Sequence, residues 1–197
     1  NVGERPVEGA SNLSLVALLA MWGDAFEMHR VAAAVGILSA LLTAFAIVVA
    51  LKGRVSPPSA WLVAGLYLAW PGTALHAQSG LETNLYTCAL AWFAVALVQY
   101  AASPRSPRAA IVLTAYVLAM LSRPEAGLVA GVGVLGLVAF CWAHGRDLVA
   151  LRRTFYLGLG CAAAFLAYLG WKLAYFGTVR SPPYWVKAAG VGAFPGA

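Results

Sequence analysis

The strongest constraint on the fold is a run of 21 residues, 31–51, that contains no charged side chain. About 20 apolar residues in a helix cover the roughly 30 Å hydrocarbon core of a bilayer. The rest of the chain is similar, since 62% of its 197 residues are hydrophobic and 10% are charged. Soluble domains carry about 25% charged residues and a smaller apolar share. An ordinary soluble domain and a disordered chain are therefore both excluded, and we expect lipid to surround most of the chain.

The remaining apolar runs predict an all-α, polytopic transmembrane helix bundle. Further spans are predicted at 60–77, interrupted by Pro71 and Gly72, at 85–102 and at 154–176. Two shorter runs, 109–121 and 126–142, predict a helical hairpin in which Pro124 occupies the first turn of the second helix, a position that needs no N–H. The run 11–21 is too short to cross and predicts an interfacial or re-entrant helix.

These runs predict about six membrane segments plus one interfacial helix, all within a single domain. Residues 1–30 would form the end of a first outer loop with the interfacial helix. Residues 31–176 would form the membrane helices, and residues 177–197 a second outer loop. The chain starts in polar sequence without Met, and we expect it to be an internal piece of a longer membrane protein.

The basic residues indicate an orientation. The three loops at 52–58, 103–108 and 143–153 carry seven of the thirteen Lys and Arg residues and one acid, Asp147. The other side carries six basic and six acidic residues. Since short cytoplasmic loops are enriched in Lys and Arg, these three loops are predicted to be cytoplasmic. Because the basic residues sit in short loops and not on one wet face, the net charge of +6 does not indicate a nucleic-acid binder.

The polar strings of the chain fall on the opposite, outer side. A helix over 109–121 rises about 20 Å, which predicts that Arg123 and Glu125 lie below the outer surface. Ionisable groups at such depth pair with each other or line a wet cavity. Two interpretations stay open: a local pair that holds the hairpin together, or a pocket for an anionic lipid head group.

Four polar regions carry a resemblance to a known family. They are GERPVEGASN at 3–12, SGLETNLY at 79–86, LSRPEAGL at 121–128, and WKLAYFG at 171–177 followed by YWVK at 184–187. In order and spacing they resemble motifs of the C-type (GT-C) membrane glycosyltransferases, and the resemblance covers nearly the whole chain. The nearest subgroup contains the terminal arabinofuranosyltransferases of cell-wall arabinogalactan.

The resemblance implies transfer of a sugar from a polyprenyl phosphate donor to a hydroxyl of a cell-envelope glycan, lipid or protein. It also implies a bacterial plasma membrane location, with the active face outside the cytoplasm. Such chemistry needs a base for the acceptor hydroxyl and cations for the phosphate leaving group. The family's catalytic acid belongs to a paired acidic motif upstream of the first string, so this chain is expected to lack it.

The resemblance and this chemistry together give the candidate site residues. They are Glu82 and Glu8 as catalytic carboxylates, Arg123, Lys187 and Arg5 as ligands of the donor phosphate, and Glu125, Tyr184 and Trp185 as substrate-binding residues.

Each assignment has a structural alternative. Glu82 can be a first-turn acid stabilised by the helix dipole, and Lys187 a lysine that extends to the membrane interface. Tyr184 and Trp185 can belong to an aromatic belt. A divalent cation beside His76 and Glu82 stays open, although we interpret His76 as a polar helix end.

Two further features limit the chemistry. Cys88, Cys141 and Cys161 each lie in an apolar run, so buried thiols are predicted. No CxxC or HExxH motif occurs, and no metal site is predicted. The competing functions are a multipass transporter or lipid flippase, which would need broken helices and a polar path across the membrane, and a structural membrane subunit.

Overall fold

The computed structural model describes residues 13–21, 27–79, 82–143 and 148–177. Within these ranges the chain forms helices and no β-strand, which confirms the all-α prediction for the described part. The helices are α1 (Leu13–Ala20), α2 (Met28–Leu51), α3 (Pro57–Ala69), α4 (Pro71–Gln78), α5 (Thr83–Ala102), α6 (Ser106–Ser122), α7 (Pro124–Ala143) and α8 (Leu148–Phe176).

Four helices, α2, α5, α7 and α8, are long and apolar enough to cross a membrane, with 24, 20, 20 and 29 residues. They expose large apolar side chains on their outer faces, among them Leu38, Leu135 and Leu166. A contiguous apolar surface is unfavourable in water. Length, composition and this exposed surface together indicate a helical membrane protein.

The predicted hairpin is confirmed, but its predicted arms were too short. α6 ends at Ser122, Arg123 has an extended backbone (φ −153°, ψ 134°), and α7 begins at Pro124. An extended residue before proline is expected, because the proline ring disfavours helical geometry there. α6 has 17 residues and α7 has 20, so α7 rises about 30 Å. The prediction that Arg123 and Glu125 lie below the outer surface rested on a helix of thirteen residues, and the longer helices no longer support it.

The interruption predicted within the run 60–77 is present, because the chain breaks there into α3 and α4, of 13 and 8 residues. Whether the two helices together cross the membrane as one broken segment stays a prediction. Pro71 has no N–H with which to satisfy the carbonyl oxygen of Tyr67, one turn earlier. The backbone N–H of Trp70 (3.3 Å) and the hydroxyl of Thr73 (2.9 Å) donate to that oxygen instead. The carbonyl group of Tyr67 at the break is thus satisfied, as apolar surroundings require.

Close helix contacts depend on small residues and on one amide side chain. A Cβ atom added to Gly36 of α2 would lie 2.5 Å from the carbonyl oxygen of Ala77 in α4. Asn84 of α5, which is buried, donates through Nδ2 to the carbonyl oxygens of Gly36 (3.4 Å) and Thr73 (3.2 Å). Small residues and interhelical hydrogen bonds of this kind are typical of membrane helix packing. The three cysteines are buried and free, as predicted.

Successive long helices run in alternating directions, so the bundle has two ends. The hairpin-turn end contains the starts of α2, α5 and α7 and the last residues of α4, α6 and α8. The basic end contains the connections at 52–56 and 103–105 and the start of α8. Between them lies a core formed mainly by α5, α6, α7 and α8, with Tyr100, Val112, Val134 and Cys161 at its centre.

Candidate functional site

At the hairpin-turn end, an arginine and an aromatic ring join the α6–α7 turn to the start of α5. The guanidinium carbon of Arg123 lies 5.4 Å from the centroid of the Tyr86 ring, within the range of a cation–π contact. The backbone N–H of Tyr86 donates to the carbonyl oxygen of Glu82 at 2.8 Å. Glu82 and Arg123 therefore lie at the same end of the bundle, and Tyr86 contacts both: Arg123 through its ring and Glu82 through its backbone.

Glu82 occupies the N-cap position of α5, with φ −66° and ψ −6°, and its side chain forms no capping hydrogen bond. Carboxylates are stabilised at a helix N-terminus by the positive end of the helix dipole. The residue is partly buried. Its carboxylate is therefore held at a favourable place without being used as the helix cap, which fits both the structural and the functional interpretation.

The turn itself contains the local ion pair that the sequence left as one alternative. Nε of Arg123 lies 3.7 Å from Oε2 of Glu125, and the side chains are 34% and 65% exposed. This distance is longer than a hydrogen bond, and exposed pairs contribute about 0–1 kcal/mol. A guanidinium has five N–H donors, and this contact involves the Nε side alone. The pairing therefore does not exhaust the capacity of Arg123 to bind an anion.

The short helix α1 lies against the same turn. The hydroxyl of Ser14 donates to the hydroxyl of Ser122 at 3.1 Å. Ser122 is buried and donates in turn to the carbonyl oxygen of Leu118 at 2.8 Å. This chain of hydrogen bonds fixes the residue before Arg123. Whether α1 is interfacial or re-entrant stays a prediction.

Lys172 is a residue that the sequence analysis did not assign to the site. It lies four residues before the end of α8 and is 1% exposed. Its Nζ lies 5.7 Å from the centroid of the Tyr168 ring. The signal was present in the sequence, because a single charge within an apolar span is costly and commonly functional. Tyr86 and Asn84 were also missed, although both lie in the string 79–86.

An apolar groove of about 530 Å³ runs between α7 and α8. It begins near Gly127, four residues after Arg123, and continues past Gly131 and Val134 to Val138. On α8 its wall includes Phe165, whose ring would lie 2.6 Å from a Cβ atom added to Gly127. The groove is thus an apolar channel that starts within about one turn of the charged hairpin turn.

Five of the candidate residues, Glu8, Arg5, Lys187, Tyr184 and Trp185, lie outside the described residues. Of the other three, Arg123 and Glu125 are in contact, and Glu82 lies at the same end of the bundle, four residues before Tyr86. Over the ranges that it describes, no group of three His, Cys, Asp or Glu side chains could hold a metal ion. The Nδ1 atom of His76 is buried without a hydrogen-bond partner.

No family model, curated protein or solved structure matches this chain. The chemistry of the site is therefore inferred from the residues of the chain and from their positions.

Proposed function

We propose that this chain is part of a GT-C-like, polytopic membrane glycosyltransferase. It would transfer a sugar from a polyprenyl phosphate donor to a hydroxyl of a cell-envelope glycan, lipid or protein. The nearest subgroup would be the arabinofuranosyltransferase-like enzymes of the cell wall. The proposal includes about six membrane segments, with α3 and α4 together counted as one broken segment, and an active face outside the cytoplasm of a bacterial plasma membrane.

One observation carries the proposal: the Arg123–Tyr86 contact, which brings a cation and the acid Glu82 to one end of the bundle. Transfer from a lipid phosphate needs a cation for the leaving group. It also needs a carboxylate near the sugar to accept the proton or to stabilise the positive charge that develops on the ring. Arg123 suits the first role, and Glu82 suits the second.

The groove between α7 and α8 supports a lipid-linked donor. A polyprenyl chain is apolar and stays in the bilayer while its phosphate reaches the interface. The groove begins at Gly127, next to the turn that holds Arg123, and its lining is almost entirely apolar. A donor with its phosphate at Arg123 and its chain along Gly131 and Val138 would place the anionic phosphate at the cationic guanidinium and the apolar chain in the apolar groove.

A multipass transporter or lipid flippase is the second candidate, and the break at Trp70 favours it. Transporters often place discontinuous helices near the midplane, where the exposed backbone groups bind the substrate. α3 rises about 20 Å before the break, so the break lies closer to the hairpin-turn end. The freed carbonyl of Tyr67 is already bonded to Thr73, which leaves this backbone less suited to bind a substrate.

The test is a transfer assay on the full-length protein that contains this chain, reconstituted with a panel of polyprenyl-phosphate sugars. Glu82→Gln removes the charge and keeps the shape, so transfer should fall by at least roughly 100-fold, as for loss of a general base. Glu27→Gln is the matched control, because Glu27 is an exposed acid near the same end, paired with Arg30 at 3.7 Å.

The control variant should retain wild-type transfer. Wild-type turnover in Glu82→Gln would reject the role of this residue. Donor translocation across the vesicle membrane, without any transfer by the wild-type protein, would favour the flippase.

A further inference from the structure

The basic end of the bundle contains a second cavity, distinct from the apolar groove. Its volume is about 350 Å³, and it lies between the first halves of α6 and α8. Arg105 and Arg153 line it together with Tyr100 from α5, and most of its remaining wall is apolar. Cavities of this size accept small ligands or part of a larger one. Neither Glu82 nor Arg123 lines it, so it is separate from the candidate transferase site.

The cavity changes from charged to apolar with depth. On α6, Arg105 is followed one turn later by Ala109 and a further turn later by Leu113. On α8, Arg153 is followed by Leu157 and then by Gly160. Both helices start at this end, so both arginines lie at the rim and the small or apolar residues lie deeper. This order matches an amphiphile whose anionic head stays at the membrane surface.

Hydrogen bonds fix the rim before any ligand binds. Nη1 of Arg153 donates to the carbonyl oxygen of Pro104 at 2.8 Å. Nη1 of Arg108 donates to the carbonyl oxygens of Gln99 (2.9 Å) and Ser103 (3.4 Å). These contacts hold the segment 103–105 from both sides, and with it the backbone of Arg105. A rim arranged in advance lowers the ordering cost of binding.

Tyr100 of α5 completes the wall of the cavity and is 1% exposed. The hydroxyl of Thr154 lies beside that of Tyr100 and donates to the carbonyl oxygen of Ala150 at 2.9 Å. A hydroxyl that donates can also accept, so the Tyr100 hydroxyl has a neighbouring acceptor within the protein. The contacts available to an anion in this cavity are therefore those of the two arginines.

We propose that this cavity binds an anionic phospholipid, with its phosphate between Arg105 and Arg153 and one acyl chain along Leu113 and Gly160. Basic pockets between membrane helices on the cytoplasmic side are known to take such head groups. The charge balance of this end agrees, because its described residues include six basic side chains and no acid: Lys52, Arg54, Arg105, Arg108, Arg152 and Arg153. The inference does not depend on the proposed transferase activity.

Lipid binding to the delipidated full-length protein in detergent tests the proposal. Native mass spectrometry and thermal unfolding would follow titration with phosphatidylglycerol, phosphatidylcholine or inorganic phosphate. We expect phosphatidylglycerol to bind and to raise the melting temperature, and the other two to do so far less. Arg105→Gln should weaken phosphatidylglycerol binding at least roughly tenfold, as for the loss of a charged hydrogen bond.

The chain offers matched controls. Arg54→Gln removes an exposed charge at the same end, outside the cavity, and should leave binding unchanged. Gly160→Leu should block the acyl chain, whereas Gly160→Ala should be tolerated, because a Cβ atom there meets the methyl groups of Leu113 at an ordinary 3.9 Å.

Three results would overturn the proposal. The first is equal binding of phosphatidylglycerol and phosphatidylcholine. The second is an equal loss of binding in Arg54→Gln and Arg105→Gln. The third is a stabilisation by inorganic phosphate that matches the lipid and persists in Gly160→Leu, which would identify a site for a free anion.

Discussion

Replacing Gly36 by alanine should push α4 away from α2. The new Cβ atom would lie 2.5 Å from the carbonyl oxygen of Ala77, while the closest favourable C···O contacts lie near 3.3 Å. The obstacle is backbone, so α4 itself must move by roughly 0.8 Å. Overpacking of this kind costs about 1–3 kcal/mol, and the same shift strains the hydrogen bond from Asn84 to the Gly36 carbonyl, already 3.4 Å long.

Alanine also has a higher helix propensity than glycine, by about 1 kcal/mol, which offsets part of the overpacking cost. Gly65→Ala in α3 measures this propensity gain alone, because no atom lies within 4 Å of a Cβ atom added at Gly65. We expect Gly36→Ala to be less stable than Gly65→Ala by about 1–3 kcal/mol. The free energy of unfolding would be measured in mixed micelles on the full-length protein. Equal stability of the two variants would refute the close α2–α4 contact.

Two further predictions concern the hairpin turn and the groove. A double-mutant cycle of Tyr86→Leu and Arg123→Gln should give a coupling of about 0.5–1 kcal/mol in unfolding free energy, and a coupling of zero would mean that the two side chains do not interact. Gly131→Leu should fill the groove and raise the donor KM at least roughly tenfold, since each methylene of the donor that is excluded from the groove loses about 0.8 kcal/mol. Gly136 also has free space around it but lies outside the groove, so Gly136→Leu should leave the donor KM unchanged.

Apolar run length was a good guide where a helix is continuous. The uncharged run 31–51 lies within α2, because its sequence has neither proline nor a turn signal. The proline in the turn after α6 also located the hairpin correctly. The break in the run 60–77 was indicated by Pro71 alone, because the hydrophobicity of the run continues across this proline whereas the helix does not. Hydrophobicity measures the free energy of transferring side chains into lipid. A proline leaves this free energy almost unchanged, but its missing N–H breaks the helix.

The site could be predicted in part. The string 79–86 and the string 121–128 pointed to Glu82 and Arg123, and α5 does begin at the end of the bundle where α6 ends. The contact between Tyr86 and Arg123 could not be predicted, because it depends on how α5 packs against α6 and α7, and no single-sequence periodicity encodes that packing. Lys172 could have been recognised, since an ionisable residue within an apolar span is rare and commonly functional.

The proposed function requires that the start of α5 and the α6–α7 turn together hold the phosphate end of a lipid-linked donor. Photolabelling can locate this end of the donor, with a polyprenyl-phosphate sugar that carries a diazirine on its first isoprene unit. The full-length protein would be labelled in vesicles, digested and mapped by mass spectrometry. We predict labelled peptides from both 82–86 and 123–131. Labelling confined to 51–57 and 103–109, at the basic end, would contradict the claim.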